Sequence, residues 1–321
     1  NIEMIKLCTT NSMTKDNKIN PRYISLFYAV TNCALGCAIG FYYGDVTFRT
    51  IVVAIAIIIC GGGIQSLCNY SIDYSRAYRK HRLDKQKGFM TPIMIGEISL
   101  TQLRKRMALV TLLIAVFGAL SIYLAIGSNI QLLSWFIFLC ALSILLALFY
   151  TTSSIYLYKG IGAIAIFVIF GMISILGSQF IIVAASSATI DFYPDAYLLA
   201  ISAAASSLII LYVRSIRTNV REKAKTIGQV ISYEISTIYL IALVSVNIAC
   251  SVLACITSHR ALESLFIIAG FIPMIYFVYT ILRYKNKSNF LKNRFNELML
   301  SCSFNNLIWI IVLVADFWIY Y

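Results

Sequence analysis

The sequence predicts an all-helical integral membrane protein that crosses the bilayer nine times. Hydrophobic residues make up 60% of the 321 residues, charged residues only 12%, and the mean hydropathy is +0.84. A soluble domain has about a quarter of its residues charged, so this chain carries too little charge for a surface that faces water. The apolar residues also fall in long runs, and the basic residues collect between them. These observations exclude a soluble protein, a disordered chain and a secreted disulfide scaffold.

Each apolar run is long enough for one helical span. A helix rises about 1.5 Å per residue, so about 20 apolar residues cross a hydrocarbon core of roughly 30 Å. Helices rather than strands are predicted because a backbone amide in lipid must be hydrogen-bonded within its own segment. In chain order, the predicted spans are 22–43, 48–70, 106–126, 129–151, 159–185, 193–213, 229–257, 261–282 and 298–321.

Small and polar residues inside these spans are interpreted through helix packing. Gly36 and Gly40 in the first span, and the glycines at 61–63 in the second, allow neighbouring helices to approach closely. Asn247 in the seventh span is expected to hydrogen-bond to a neighbouring helix. Asp316 lies close to the aromatic residues at the end of the last span, and is expected to reach the lipid headgroups with them.

The basic residues fix the predicted orientation. Of the 26 Lys and Arg, 24 fall on one face of the nine-span arrangement, and only Arg49 and Arg260 fall on the other. Because basic connections stay in the cytoplasm, residues 1–21 are predicted to form a cytoplasmic tail. Residues 22–321 form a single membrane domain, and the C-terminus lies on the opposite side. The net charge of +13 is therefore interpreted as topology and contact with anionic lipids, not as nucleic-acid binding.

Two predicted cytoplasmic connections, 71–105 and 214–228, hold the polar residues that are best suited to chemistry. They follow the second and the sixth spans. At the start of the first, a helix places Asn69 and Asp73 on one face, one turn apart. The second carries Glu222 beside a stripe of arginines, which are Arg214, Arg217 and Arg221. By residue type alone, both motifs also suit helices at the membrane edge, with their cations among the lipid headgroups.

Five motifs follow one another in a recognisable order. They are Gln65-Ser-Leu-Cys-Asn69-Tyr-Ser-Ile-Asp73-Tyr-Ser-Arg76, Thr91-Pro92-Ile-Met-Ile-Gly96-Glu-Ile-Ser99, Phe149-Tyr150-Thr151, Tyr158-Lys-Gly-Ile-Gly162 with Phe167-Val-Ile-Phe170-Gly171 and Leu176-Gly177-Ser178, and the segment 214–228. Their order and spacing resemble the UbiA superfamily of intramembrane prenyltransferases, most of all its menaquinone-type branch, which prenylates dihydroxynaphthoate. The resemblance covers nearly the whole chain. It implies a UbiA-type bundle with a cytoplasm-facing chamber, and transfer of a polyprenyl chain from polyprenyl diphosphate to an aromatic quinone precursor.

The resemblance also implies roles for individual residues. In this family Mg²⁺ between two Asp-rich motifs holds the diphosphate, because a hard cation prefers carboxylate oxygens and bridges them to phosphate. Asp73 and Glu222 occupy metal-binding positions of those motifs here. Two other Asp positions of the family are Arg79 and Thr218 in this sequence. The residues assigned to diphosphate or other substrate are Asn69, Arg79, Tyr150, Arg217, Arg221 and Lys225.

The two lost carboxylates leave three interpretations of the site open. Asp84, Glu97 and Glu222 could together supply a single metal site. Arg79 and the other basic residues assigned above could instead hold a diphosphate without a metal, because arginine offers a two-pronged fork to phosphate oxygens. The third interpretation is a catalytically inactive family member that binds a lipid or quinone, or is a subunit of a membrane complex. The expected location is the bacterial inner membrane.

Overall fold

The computed structural model describes nine helices and no strand in residues 21–80, 99–127, 130–149, 161–186, 193–218, 233–258, 264–283 and 288–320. Eight of the helices are α1 (Pro21–Tyr43), α2 (Phe48–Lys80), α3 (Leu100–Ile126), α4 (Ile130–Phe149), α6 (Pro194–Thr218), α7 (Tyr233–Thr257), α8 (Ser264–Arg283) and α9 (Ser288–Tyr320). Helix α5 has three consecutive parts, Ile161–Ile166, the π-helical stretch Phe167–Gly177 and Ser178–Ala185. Eight helices are long and apolar enough to cross a membrane, and α4 contributes the shorter apolar stretch Leu133–Leu148. The predicted all-helical membrane class is confirmed.

Helices α2 and α9 extend furthest beyond their predicted spans. Helix α2 continues to Lys80, ten residues beyond the predicted end, and α9 begins at Ser288, ten residues before the predicted start. Hydropathy detects only the part of a helix that lies in lipid, whereas these helices continue into polar sequence. Part of the predicted connection 71–105 is therefore helical. Its far end is helical too, because Ser99 caps α3 by exchanging hydrogen bonds of 3.0 and 3.1 Å with Gln102.

Helix α1 is the centre of the bundle. It packs against α2, α5, α6 and α9, so it contacts helices from both halves of the chain. Helix α2 also packs against α3 and α4, α6 packs against α5 and α7, and α8 joins α7 to α9. Large apolar side chains remain exposed on several helices, including Val116 on α3, Phe138 on α4, Ile256 on α7 and Phe266 on α8. This distribution suits a protein whose outer surface faces lipid.

Glycines bring α1 and α5 into close contact. A methyl group on Gly36 would lie only 2.5 Å from the carbonyl oxygen of Ile175. A methyl group on Gly40 would lie 2.6 Å from the Cβ atom of Ile182. Neither position has room for a side chain, so the expected packing role of these two glycines is confirmed.

The two polar residues expected inside the spans have different outcomes. Asn247 donates a hydrogen bond of 2.5 Å to Ser206 on α6, which confirms the expected contact between helices. Asp316 is only 2% exposed, so the expectation that it reaches the lipid headgroups is wrong. The position of Asp316 in the sequence predicts how deep it lies in the membrane. It does not predict which face of α9 carries the carboxylate, and the structure places it on the inward face.

Candidate functional site

The candidate site lies where the start of α1 meets the end of α2. The Nη2 atom of Arg22 lies 2.6 Å from the Oδ1 atom of Asp73, which makes a charged hydrogen bond between the two helices. The side chain of Asp73 is only 5% exposed, whereas that of Arg22 is 30% exposed. A buried carboxylate is costly without a compensating cation, and the guanidinium of Arg22 supplies that opposite charge to Asp73 inside the bundle.

Asn69 fixes the same two helices one turn further into the membrane. Its Nδ2 atom donates to the Oγ atom of Ser25 at 3.2 Å, and its Oδ1 atom accepts a long contact of 3.5 Å from Gln65. Ser25 in turn donates to the backbone carbonyl of Arg22 at 2.9 Å. Asn69 and Asp73, the polar residues of the first motif, therefore connect α2 to the first turn of α1.

Further arginines reach the end of α2 from other helices. Arg214, at the end of α6, is close enough to Cys68 on α2 to interact with it electrostatically. Arg104 on α3 donates a hydrogen bond of 2.7 Å to the hydroxyl of Tyr74 and lies 5.4 Å from the centre of its ring. Helices α1 and α3 thus each place a guanidinium against the cytoplasmic part of α2, and α6 contributes a longer-range electrostatic interaction.

Only part of the predicted site falls on residues whose side chains the structure describes. Asn69 and Asp73 lie on one face of α2, as predicted. Arg79 and Arg217 lie on the last turns of α2 and α6, and only their backbones are described. Four predicted residues lie outside the described ranges: Tyr150, Arg221, Glu222 and Lys225. Their roles, and the metal role of Asp73, stay predictions.

Sequence analysis missed Arg22 and Ser25 as site residues. Arg22 was counted only among the basic residues that set orientation, because its partner Asp73 is 51 residues away in the chain. No periodic pattern links two positions on different helices. The only available signal was the position of a charged residue at the membrane edge, where ionisable groups commonly serve function.

The described part of the site is a poor fit for Mg²⁺. This ion requires about six oxygen ligands at about 2.1 Å, and it loses its water reluctantly. Among the described side chains, the carboxylates on the predicted cytoplasmic side are Asp73 and Glu297, and each has an arginine within 2.7 Å. Unit charges 4 Å apart repel by about 4 kcal/mol at an effective dielectric constant of about 20, and a divalent ion doubles that value. A metal on Asp73 would therefore have to displace Arg22.

A small apolar pocket lies among α2, α4 and α5. Two of its lining residues, Ile64 and Cys68, belong to the turns of α2 just before Asn69. The rest come from α4 and α5: Ser143, Leu146, Ala147, Ala165, Ile166, Ile169 and Phe170. Ser143 is the only hydroxyl in this lining. The site thus has polar and charged groups at the end of α2 and apolar groups directly below them.

The polar residues deeper in the bundle are engaged with one another. The hydroxyl of Tyr28 on α1 donates to the backbone carbonyl of Ala203 at 3.1 Å and lies 3.0 Å from the Oγ atom of Ser207. The Nδ2 atom of Asn306 on α9 donates to the Oδ1 atom of Asn32 at 2.5 Å. These hydrogen bonds join α1, α6 and α9 in the interior, so we assign these residues to packing and not to substrate.

Comparisons with known proteins agree with this arrangement. No protein-family model matches the chain. The 1,4-dihydroxy-2-naphthoate octaprenyltransferase of Escherichia coli (strain K12) is 26% identical over 164 residues, which are 51% of this chain and 51% of that protein. The match thus spans about half the length of this relative.

Solved structures match over a greater length. The apo structure of a UbiA homolog from Aeropyrum pernix K1 has a TM-score of 0.65 at 11% identity, and the match covers 91% of this chain and 97% of that chain. A structure of digeranylgeranylglyceryl phosphate synthase has a TM-score of 0.49 at 17% identity, covering 89% of this chain and 99% of that chain.

Three kinds of observation therefore agree. The order of the five motifs, the half-length sequence match to a prenyltransferase and the helical arrangement shared with the Aeropyrum protein all point the same way. The protein is an integral membrane protein with the UbiA fold, and about half of its length is similar in sequence to a prenyltransferase.

Proposed function

We propose that the chain binds a polyprenyl diphosphate at the cytoplasmic ends of α1, α2 and α6 and transfers the prenyl chain to an aromatic quinone precursor. The observation that carries this proposal is the meeting of the first motif with arginines from other helices. Asp73 and Asn69 lie on one face of α2, Arg22 is 2.6 Å from Asp73, and Arg214 on α6 interacts electrostatically with Cys68 of the same helix. Arginines are well suited to a diphosphate because each offers a planar fork of donors to phosphate oxygens.

The chemistry divides between the two ends of the substrate. The bond between the first prenyl carbon and the diphosphate oxygen breaks, and its electron pair leaves with the diphosphate. Cationic side chains stabilise the negative charge that develops on this leaving group. The electron-rich ring of the acceptor then forms the new carbon–carbon bond, and the ring proton passes to water or to a base. The apolar side chains around Cys68 give this part of the site a lining of low polarity, which suits a prenyl substrate.

The proposal gives roles to residues beyond the described side chains. Tyr150, Arg217, Arg221 and Lys225 are proposed to contact the diphosphate or the acceptor within a chamber that faces the cytoplasm. Arg79 is proposed to join them. If Mg²⁺ takes part, Asp73 and Glu222 are its proposed ligands.

The proposed setting is the bacterial inner membrane, with the N-terminus in the cytoplasm and the C-terminus on the opposite side. The basic ends of the helices would then meet anionic lipids of the cytoplasmic leaflet, and no nucleic-acid partner is proposed. The separation of 24 basic residues from the remaining two supports this orientation.

The second candidate function is that of a catalytically inactive member. Such a protein would bind a lipid or quinone, or act as a subunit of a membrane complex. Two observations favour it: Arg79 and Thr218 stand where the family has metal-binding Asp, and Asp73 is bound by Arg22. Both observations argue against departure of the diphosphate with the help of Mg²⁺.

The experiment that separates these functions is an assay of purified full-length chain in lipid nanodiscs. Prenyl diphosphates of several lengths are combined with 1,4-dihydroxy-2-naphthoate and other aromatic acceptors, with Mg²⁺ or with EDTA. Prenylated product, lost in the Asp73→Asn variant and kept in Arg294→Gln, supports the transferase. Arg294 is a matched control because it also pairs with a carboxylate, Glu297, but faces Phe277 on α8. Diphosphate binding without product under every condition supports the inactive member.

A further inference from the structure

The contact between Arg22 and Asp73 points to a diphosphate site in which an arginine replaces the metal ion. We propose that the guanidinium of Arg22, held by Asp73, occupies the position that the family gives to Mg²⁺ and binds the diphosphate oxygens directly. The inference rests on the proposed function, because it requires a diphosphate at this end of the bundle. The inference extends the proposed function by naming the cation that stabilises the departing diphosphate.

The placement of the two side chains carries the first step of the argument. Asp73 is the inner partner, with 5% of its side chain exposed, and Arg22 is the outer partner, with 30% exposed. Of these two partners, the arginine is therefore the one that a ligand from outside the bundle reaches more readily. A metal ion held by Asp73 would bring the same sign of charge to this carboxylate.

The chemistry of arginine carries the second step. A guanidinium has five N–H donors in a fixed plane, and the 2.6 Å contact with Asp73 uses the Nη2 atom. A planar guanidinium can donate to a carboxylate along one edge and to phosphate oxygens along another. Unlike Mg²⁺, the side chain needs no set of six oxygen ligands, so the Asp positions occupied by Arg79 and Thr218 are no longer required.

The tie between α1 and α2 carries the third step. Ser25 accepts a hydrogen bond from Asn69 at 3.2 Å and donates one to the carbonyl of Arg22 at 2.9 Å. The backbone of Arg22 is thus fixed relative to Asp73 before substrate binds. A cation held in place needs little reorganisation when negative charge develops on the leaving group. Asp73 is then a positioning residue, and Arg22 is the residue that contacts substrate.

The test measures binding of inorganic pyrophosphate to full-length chain in nanodiscs by calorimetry, with EDTA and with Mg²⁺. We expect native protein to bind with affinities that agree within about threefold in the two conditions. Arg22→Gln is expected to lose about tenfold in EDTA, because a charge-assisted hydrogen bond contributes about 1.5–3 kcal/mol. The same variant is expected to bind more tightly in Mg²⁺ than in EDTA, because Asp73 has been released. Arg22→Lys keeps the charge without the fork and should lie between native protein and Arg22→Gln.

Two controls keep loss of folding apart from loss of binding. Arg294→Gln removes an arginine from another ion pair and should leave both affinities unchanged. Each variant is also compared with native protein by its elution volume and thermal midpoint. Asp73→Asn keeps Arg22, so it should retain binding that is independent of Mg²⁺, although weaker than that of native protein.

The outcomes separate this inference from the proposed function. Native binding that requires Mg²⁺ and disappears in Asp73→Asn would overturn the arginine replacement while leaving the transferase proposal in place. An Arg22→Gln variant that binds as native protein does in EDTA would also overturn it. Binding independent of Mg²⁺ without prenyl transfer to any acceptor would support the inference and reject the transferase. Absence of pyrophosphate binding under both conditions would reject both.

Discussion

The side-chain amide of Asn32 on α1 donates a hydrogen bond of 2.9 Å to the backbone carbonyl of Phe170, inside the π-helical stretch of α5. Its Oδ1 atom accepts from Asn306 on α9. One fully buried side chain therefore joins three helices. A π-helical stretch interrupts the regular α-helical hydrogen-bond ladder, and such stretches persist where neighbouring groups stabilise them.

Asn32→Ala is expected to destabilise the bundle. The change removes the donor to Phe170 and the acceptor for Asn306, and a buried polar group without a partner costs about 1–3 kcal/mol. The thermal midpoint in detergent should fall accordingly. Ser134→Ala is the control, because the exposed side chain of Ser134 donates to the carbonyl of Gln131 within its own helix. Equal midpoints for the two variants would show that Asn32 does not stabilise the junction.

Gly171→Ala tests the close contact between α5 and α6. The new methyl group would lie 2.1 Å from the Cβ atom of Ala204 and 2.4 Å from its Cα atom, so backbone must move. Overpacking of this kind costs about 1–3 kcal/mol. At Gly177 in the same helix, a methyl group would lie 3.6 Å from its nearest neighbour, the Cγ2 atom of Ile173, so Gly177→Ala should leave stability unchanged or raise it.

A second substitution tests whether the stability lost in Gly171→Ala can be restored. Ala204→Gly combined with Gly171→Ala moves the methyl group from one helix to the other, and it should recover most of the lost thermal midpoint. If Gly171→Ala alone is as stable as Gly177→Ala, the two helices do not approach each other as described.

The membrane orientation is tested by labelling single cysteines. In a variant without reactive native cysteines, Lys87→Cys and Lys223→Cys should react with an impermeant maleimide only from the cytoplasmic side. Ser128→Cys, in the connection between α3 and α4, should react only from the other side. The reason is the unequal distribution of basic residues, which favours retention of basic connections in the cytoplasm. Labelling of either lysine position from outside would contradict the nine-span orientation.

The number and order of the helices could be predicted because membrane spans have one dominant requirement. About 20 apolar residues are needed to cross the bilayer, and this requirement is visible in a single sequence. The ends were less predictable, since the polar parts of α2 and α9 continue as helix outside lipid. The π-helical stretch of α5 also has no hydropathy signal. It depends on partners such as Asn32, which come from another helix.

The candidate site could be predicted only where its residues lie on one helix. Asn69 and Asp73 are one turn apart, so helical spacing places them on one face. The pairing of Asp73 with Arg22 depends on how α1 packs against α2, and helical spacing carries no information about it. For the same reason, the buried position of Asp316 could not be distinguished from exposure at the membrane surface.

The metal role of Asp73 and Glu222 is tested by replacing each with Ala. If Mg²⁺ bridges them to diphosphate, either change should abolish the part of pyrophosphate binding that depends on Mg²⁺, because one remaining carboxylate cannot complete the site. Calorimetry in Mg²⁺ and in EDTA measures that part directly. Ser134→Ala again serves as the unaffected control. Survival of Mg²⁺-dependent binding in both variants would show that other residues hold the ion.

Restoring the family pattern should convert the site to one that binds Mg²⁺. Arg79→Asp with Thr218→Asp replaces a cation and a neutral residue with two carboxylates, so Mg²⁺ affinity should rise by at least about tenfold. Arg22 would still hold Asp73 and oppose the ion. Adding Arg22→Gln is therefore expected to raise the affinity further and to give the largest gain in prenyl transfer in the presence of Mg²⁺.

The measurement is a Mg²⁺ titration of native protein, the double variant and the triple variant, followed by prenyl transfer at saturating Mg²⁺. Arg79→Asn with Thr218→Asn is the matched control, because it removes the same side chains without adding carboxylates. The control distinguishes two reasons for a higher Mg²⁺ affinity. If removal of Arg79 is the reason, the Asp and the Asn double variants should gain equally. If the new carboxylates bind the ion, only the Asp double variant should gain. Strong Mg²⁺-dependent turnover in native protein would contradict the prediction, and Asp84 or Glu97 would then be the residues to test as the missing ligands.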